Sequence, residues 1–137
     1  MLDQFIGTCA YKPRNTKSEF RQLPILLLSD ETLYALLEGK VRDIYGRSVN
    51  RHGLIIATDL RIIFFQKSFW GKSIQADIPL NQVLSVAVAF SKTALLSHVV
   101  ISTEEHDMLI ELCHKEEAEE FKQAVTELLQ SQPHFSS

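Results

Sequence analysis

The sequence predicts a mainly β domain that is closed by one C-terminal helix. From Val41 to Cys113, short segments alternate apolar and polar residues, which is typical of half-buried strands. Residues 116–130 then carry an apolar stripe at three-four spacing, formed by Ala118, Phe121, Val125 and Leu128. A strongly bent antiparallel sheet leaves an open end, and an amphipathic helix can plug it. We therefore expect about seven strands, a capping helix and a short N-terminal helical lead-in.

Length and composition fit one globular domain with an ordinary core. The chain has 137 residues, of which 45% are hydrophobic and 23% charged, and its net charge is −3. This balance gives no support for a nucleic-acid partner, which usually requires a basic surface. Two distant cysteines, Cys9 and Cys113, indicate reduced thiols. No signal peptide is recognisable at the N-terminus, so we expect a cytoplasmic protein, with membrane association as an option.

The N-terminal third gives the fewest signals. Residues 16–19 have the spacing of a capping box, which predicts a short helical turn before Pro24. Ser29 and Asp30 are good N-cap residues before Glu31. Leu33, Leu36 and Leu37 then share one helical face, and Gly39 is a residue at which helices commonly end. We therefore predict a second short helix over 31–38. The expected organisation is an N-terminal extension (1–29) of unassigned role, a domain (30–131) and a frayed tail (132–137).

Seven strands are predicted from residue 41 onward. Apolar runs in two of them, Leu54–Ala57 and Ile62–Phe65, indicate central strands that are covered on both faces. Alternation places Leu84, Val86, Val88 and Phe90 on the core face of one strand, and Leu112 on the core face of another together with Met108 and Ile110. The predicted strands are 41–47, 53–58, 61–67, 73–80, 83–90, 98–103 and 106–113.

The corner between the two central strands reads Thr58-Asp59-Leu60-Arg61. An aspartate side chain can accept hydrogen bonds from backbone N–H groups two residues on, and the threonine can support it. We therefore predict that Asp59 and Thr58 fix a tight turn and that Arg61 lies across it as a clamp.

These segments resemble a known family. The hairpin of residues 53–65, with its TD-x-R corner, is similar to that of bacterial pleckstrin-homology (PH-like) domains, including the short YokE-like group. The segment 78–86 resembles the family's entry into the fifth strand, and the resemblance extends over about residues 30–131. It implies a seven-stranded PH-like bent antiparallel barrel capped by a helix, and it implies little about the ligand.

No arrangement of residues predicts catalysis or metal binding. Cys113 and His114 are neighbours in sequence, so on a strand they point to opposite faces and cannot form a dyad. The predicted pairing of the last hairpin keeps His98 and His106 apart, whereas a zinc site needs three or four convergent ligands. We predict no enzyme activity, no catalytic residue, no metal and no cofactor.

Candidate contact residues lie in two predicted loops, 47–52 and 68–72. Phe69 and Trp70 stand in a predicted turn between Lys67 and Lys72, where they fold back onto the domain or touch another molecule. The other loop supplies basic side chains that could bind phosphate, namely Arg47 and Arg51. Glu104, Glu105 and Asp107 are expected at the same end of the domain, where they would repel a phosphorylated head group.

The leading hypothesis is a non-enzymatic PH-like binding or scaffold module that mediates protein–protein association, including association with copies of itself as a homo-oligomer. The resemblance implies this function, and the residues permit it. The alternative is peripheral attachment to anionic lipid through the 47–52 and 68–72 loops. An enzyme of unrecognised type ranks third.

Overall fold

A computed structural model of the chain describes residues 9–44, 47–67, 72–90 and 96–131. Its strands are β1 (Leu33–Ile44), β2 (Arg47–Thr58), β3 (Arg61–Gln66), β4 (Ile74–Pro79), β5 (Val83–Phe90), β6 (Leu96–Thr103) and β7 (Asp107–His114). The helices are α1 (Lys17–Arg21), α2 (Leu23–Leu26) and α3 (Lys115–Ser131), with a 3-10 turn at Leu80–Gln82. The strands form one antiparallel sheet in the order β4-β3-β2-β1-β7-β6-β5, which confirms the predicted sheet of seven strands.

The sheet bends so that its two halves, β1–β4 and β5–β7, enclose one apolar core. This core joins buried residues of both halves, such as Ile55 and Phe64 with Val99 and Ile110. Helix α3 adds its predicted stripe, formed by Ala118, Phe121, Val125 and Leu128, all of which are buried. The capping role of the C-terminal helix is therefore confirmed.

The helix predicted over residues 31–38 is wrong, because this segment belongs to the long strand β1. Leu36 contacts the outer side of the sheet and Leu37 the core, and both are buried. A strand covered on both faces loses its alternation, and its apolar run then resembles a helical stripe. Gly39 does not stop a helix. It lies where β7 crosses closely, and an added Cβ would stand 2.6 Å from Cγ2 of Ile110.

The N-terminal segment, residues 9–28, covers the outer face of β1–β3, and we call it the N-terminal cover. The predicted helical turn after Thr16 is confirmed as α1. Thr16 gives no side-chain cap, however, and its hydroxyl instead bonds the Tyr11 hydroxyl at 2.6 Å. Tyr11 and Leu23 pack on outer-facing strand residues such as Ile56 and Ile63. This contact explains why both faces of the central strands are apolar.

Buried carboxylates hold the beginning of the N-terminal cover. Arg14 lies between Glu38, at 3.2 Å, and Glu117 of α3, at 2.6 Å. The backbone N–H of Asn15 donates to Glu38 at 2.7 Å, and that of Lys12 donates to Glu117 at 3.1 Å. The cover is therefore tied to β1 and to the capping helix at once.

The turn between β2 and β3 is fixed by Thr58 and not by Asp59. The Thr58 hydroxyl accepts from the backbone N–H of Leu60 at 3.1 Å and of Arg61 at 3.0 Å. Asp59 instead accepts from the backbone N–H of Thr32 at 2.9 Å, so it ties the turn to the segment before β1. The predicted turn is present, but Thr58 has the role that was predicted for Asp59.

Arg61 is the clamp that the sequence predicts, and its reach is wider than the turn. Its guanidinium donates to both carboxylate oxygens of Glu31, at 2.8 and 2.9 Å. It also donates to Asp77 of β4 at 2.6 Å and to the carbonyl oxygen of Leu26 at 3.1 Å. One side chain thus joins the β2–β3 turn, the strand β4 and the end of the N-terminal cover.

Replacement of Phe121 with Ala should destabilise the domain strongly. The side chain is 0% exposed in the core beneath α3, so its removal leaves a cavity. We expect a loss of about 3–5 kcal/mol in the free energy of unfolding. Chemical denaturation measures this loss, and a change within error of zero would contradict the capping role of α3.

The Glu31–Arg61 contact predicts a loss of stability in acid. Burial acts to raise the pKa of Glu31, but hydrogen bonds from Arg61, Thr58 and the Leu28 backbone, with the Arg61 charge, lower it from 4.5 to about 2. A carboxyl group whose pKa is lower in the folded state stabilises the fold above its unfolded pKa, and this contribution is lost as the pH falls through the folded pKa. We expect this residue to contribute at most about 3 kcal/mol, lost between pH 4.5 and 2.

Denaturation at a series of pH values provides the measurement. Glu31→Gln should be less stable than the wild type at pH 7, and its unfolding free energy should fall less steeply between pH 4.5 and 2. Equal slopes for the two proteins would show that Glu31 is not held as a carboxylate by Arg61.

Candidate interaction surface

The two halves of the sheet differ in how their outer faces are covered. On β1–β3 the outer-facing residues form an apolar cluster with the N-terminal cover. The described residues form two apolar clusters, and neither includes the outer-facing residues of β5–β7. The outer face of β5–β7 is therefore the apolar sheet surface that the described part of the chain leaves to solvent.

A bulge in β5 turns Leu84 away from the core. The pairing with β6 shifts register between Val83 and Ser85, and Val83 and Val86 are both buried. Because two residues stand between two core positions, Leu84 and Ser85 both lie outside the core. Leu84 is 58% exposed, so the prediction that it faces the core is wrong.

A second bulge does the same in β7. The pairing with β6 passes from Ser97 opposite Cys113 to Val99 opposite Ile110, which leaves Glu111 and Leu112 between two core residues. Leu112 is 48% exposed, so its predicted core position is also wrong. Its φ is 61°, in the left-handed region that a leucine rarely adopts.

These bulges complete an apolar surface that we call the outer patch, formed by Leu84, Ala87, Val100, Leu109 and Leu112. Ala87 lies opposite Val100, and Val100 lies opposite Leu109, so the three form a row across the strands. The two bulge leucines add exposed side chains on β5 and β7. Uncovered apolar side chains grouped on one face of a sheet are candidates for contact with other molecules.

The patch includes Leu84 and Ala87 of β5, which ends the sheet and, among the described strands, has a neighbour on one side only. Five of its eight residues are exposed, and its sequence VLSVAVAF carries no charge and no proline. The opposite end strand, β4, carries Asp77 and Pro79, which are residues that protect an edge from pairing. β4 thus carries residues that suppress pairing, whereas β5 carries neither charge nor proline and is contacted by helix α3.

Phe90, at the end of β5, is only partly in the position that the sequence predicts. It lies opposite the buried Ser97, on the core side of the strand, yet its side chain is 50% exposed. The ammonium of Lys115 stands 5.0 Å from the centre of its ring. About half of the Phe90 side chain is therefore accessible to solvent at the end of β5.

The predicted loop 47–52 is a strand and not a loop. Arg47 and Arg51 belong to β2, opposite Ile44 and Val41 of β1. A register shift in β1, between Val41 and Asp43, interrupts the regular pairing of this hairpin. Arg51 is exposed on the hairpin.

The other predicted contact residues are only partly described. Lys67 and Lys72 are exposed, and the Lys67 backbone N–H donates to Glu19 at 2.9 Å. Phe69 and Trp70 lie outside the described residues.

Asp43 of β1 is opposite both Ser48 of β2 and Leu109 of β7, so the β1–β2 and β6–β7 hairpins share one end of the domain. Three exposed carboxylates lie at that end, from Glu104, Glu105 and Asp107.

Neither Cys113 nor the possible metal ligands of the described ranges form a reactive centre. Burial raises the pKa of Cys113 to about 12, so its thiol is not poised as a nucleophile. Within residues 9–44, 47–67, 72–90 and 96–131, no three His, Cys, Asp or Glu side chains converge as a metal would require.

A cleft of about 370 Å³ between α2 and β3–β4 is lined by neutral residues, namely Gln22, Ile25, Leu26, Phe65 and Gln75. Across those same ranges, no helix has the length and apolar character needed to cross a bilayer.

Comparison with known proteins places this architecture in a family. The family model of the bacterial PH domain matches residues 27–127, well over half of the chain. A pleckstrin-homology domain from Shewanella amazonensis SB2B superposes with a TM-score of 0.56 at 18% identity, covering 93% of this chain and 97% of that one. The N-terminal PH domain of Vps36 gives 0.57 at 14% identity, covering 76% and 83%. A C-terminal domain of an unknown protein from Leishmania infantum gives 0.57 at 14%, covering 82% and 95%.

No curated protein sequence matches the chain significantly. The fold is that of the PH domains, a class of modules that in general bind other molecules and are not catalytic. The chain belongs to the bacterial PH domain family.

The strain at Leu112 predicts an unusual response to glycine. Glycine adopts a positive φ without the steric cost that leucine carries, whereas glycine elsewhere in a strand is destabilising. We therefore expect Leu112→Gly to be more stable than Leu84→Gly by about 1 kcal/mol or more. Leu84 is the matched control, because it is a similarly exposed bulge leucine without a positive φ. Chemical denaturation of both variants tests this, and equal losses would mean that the β7 bulge is not strained.

Proposed function

We propose that the protein is a non-enzymatic scaffold module that mediates protein–protein association, including association with copies of itself. The observation that carries this proposal is strand β5, which ends the sheet, is largely exposed and contains no charged residue. The unpaired N–H and C=O groups of such an edge form a template for another strand. A partner that supplies a strand satisfies these groups and covers the apolar side chains beside them.

The outer patch supports a protein partner in preference to a lipid one. Its residues are neutral and apolar, and they lie on the outer face of β5–β7. An anionic membrane is held by clustered lysines and arginines, which the patch lacks. Protein interfaces, in contrast, have apolar centres that are depleted in charge. We assign the patch to a protein that docks on the sheet face.

The residues predicted from sequence remain a second proposed contact. Lys67, Lys72 and Arg51 are exposed and could flank a loop that reaches a partner or a membrane through Phe69 and Trp70. The exposed carboxylates of the β6–β7 hairpin at the same end oppose an anionic surface. Peripheral lipid attachment is therefore the weaker proposal.

Light scattering over a range of concentrations tests self-association. We expect the mass to rise above the 15.6 kDa of one chain as concentration increases. The variant Ala87→Glu with Ala89→Glu places charges on the free strand at exposed positions, where folding stability should change little. It should remain a monomer at concentrations at which the wild type associates. Ala87→Ser with Ala89→Ser is the matched neutral control and should behave like the wild type.

Two outcomes would contradict the proposal. If the wild type keeps the mass of one chain at every concentration, the proposed self-association is wrong. If that monomer also sediments with phosphatidylserine vesicles, and Arg51→Glu abolishes sedimentation, the lipid alternative replaces it. If the variant with both glutamates associates as strongly as the wild type, the interface does not lie at β5.

A further inference from the structure

We propose that the cleft between α2 and β3–β4 binds an extended segment of a partner protein that carries acidic side chains beside apolar ones. This partner class rests on the scaffold function proposed above, but it does not require self-association. Three features of the cleft point to such a segment: the types of residue that line it, an uncovered isoleucine in its wall, and a group of cations near it.

The cleft exists because the N-terminal cover ends before it reaches β4. Helix α2 has four residues, and its first residue, Leu23, is buried in the apolar cluster on the outer face of β1–β3. Leu27 already has an extended backbone, so the helix ends there. On β4, Gln75 lies opposite Phe65 and is exposed, so the cover does not extend over it. The space that remains has a volume of about 370 Å³, within the range of about 300–1,000 Å³ that is usual for ligand sites.

The lining of the cleft suits a peptide backbone. Three of the five lining residues are apolar, and the other two are Gln22, just before α2, and Gln75 on β4. The cleft therefore has a side-chain amide on its helix side and another on its strand side. An amide both donates and accepts hydrogen bonds, as an extended peptide does along its two edges. The Gln75 amide nitrogen donates to Asp77 at 3.1 Å, which orients this group before a ligand arrives.

Ile25 offers an apolar contact that the fold itself does not use. Leu23 and Leu26 pack in the cluster of the outer face and hold α2 on the sheet. Ile25 lines the cleft and is 81% exposed, the highest value among the large apolar side chains of the described ranges. An apolar side chain of a partner that packs on Ile25 removes both surfaces from water, which favours binding.

Three exposed cations, which we call the basic rim, lie within three residues of the cleft lining in sequence: Arg21, Lys67 and Lys72. The Lys67 backbone N–H donates to Glu19 at 2.9 Å, so the end of β3 is held against α1. Glu19 is buried, and Asp77 of β4 is already paired with Arg61 at 2.6 Å. The rim therefore presents positive charge on a protein whose net charge is −3, and acidic side chains of a partner complement it.

A peptide engages the whole of this surface, whereas a lipid head group does not. A phosphorylated head group contacts the basic rim and leaves the two amides and Ile25 unused. A peptide places acidic side chains at the rim and an apolar side chain on Ile25, while its backbone bonds the amides. The neutral lining and the charged rim are then both explained by one ligand.

Selection from a library of short random peptides tests the proposal without assuming a sequence. Peptides displayed on phage are selected on the full-length wild type and on Ile25→Glu, a substitution at an exposed position where folding stability should change little. The wild type should select peptides in which aspartate or glutamate stands near leucine, isoleucine or phenylalanine. Synthetic copies should bind Ile25→Glu at least about ten-fold more weakly. Ala87→Glu with Ala89→Glu, which adds negative charge to β5 instead, is the matched control and should bind like the wild type.

Reversal of charge at the basic rim tests its part in the specificity. Lys67→Glu with Lys72→Glu should change the selected acidic residues to lysine and arginine. Lys12→Glu with Lys122→Glu makes the same change in net charge at exposed positions away from the cleft lining, and it should select the same peptides as the wild type. A rim with only a structural role would alter stability and leave the selected sequences unchanged.

Other occupants of the cleft give different results. Selection without a preference for acidic and apolar residues, or selection that Ile25→Glu leaves unchanged, would overturn the proposal. It is also overturned if Ile25→Glu abolishes self-association, which assigns the cleft to a second copy, or if only Trp70→Ala binds peptides, which assigns it to the chain's own loop. Sedimentation with phosphatidylserine vesicles that the rim variant loses, without peptide selection, would assign the rim to lipid. A monomeric wild type that still selects these peptides would contradict self-association and support the peptide site.

Discussion

The buried pairing of Arg61 with Glu31 is the interaction on which the arrangement of this domain depends. Arg61 bonds both oxygens of Glu31, Asp77 of β4 and the carbonyl of Leu26, so it fixes one end of the N-terminal cover. With that end fixed, the cover keeps the apolar outer face of β1–β3 away from water. The N-terminal cover therefore lies on one half of the sheet. Among the described residues, no equivalent segment covers the outer face of β5–β7.

This unequal covering accounts for the surface that we assign to association. A free sheet edge is a hazard that proteins usually suppress with charge, proline or bulges. Here β4 carries the suppressing residues, while β5 has a bulge at its beginning and a neutral run after it. The positive φ of Leu112 accompanies the bulge that exposes this side chain.

The sequence predicted the elements that have one buried face and one face in water, and it also predicted the two central strands β2 and β3. The stripe of α3 and the part of the β6–β7 hairpin before the β7 bulge follow the simple periods, and the resemblance of the 53–65 hairpin to bacterial PH domains identified the family. The prediction failed at β1, because both of its faces are covered and its period disappears. It also failed at Leu84 and Leu112, because a bulge reverses the alternation and leaves no mark in the sequence. The outer patch was missed for this reason, since two of its members appeared to belong to the core. A weak signal for β5 was present, namely the absence of charge over its eight residues.

Hydrogen–deuterium exchange at several protein concentrations tests the central claim most directly, because it observes the backbone of β5 itself. The outward N–H groups of a free edge exchange rapidly, and pairing with a second strand protects them. The account predicts that amides within residues 86–90 become protected as concentration rises, while those of β4 exchange at a constant rate. Exchange in β5 that does not depend on concentration, in a sample that light scattering identifies as a dimer, would contradict it.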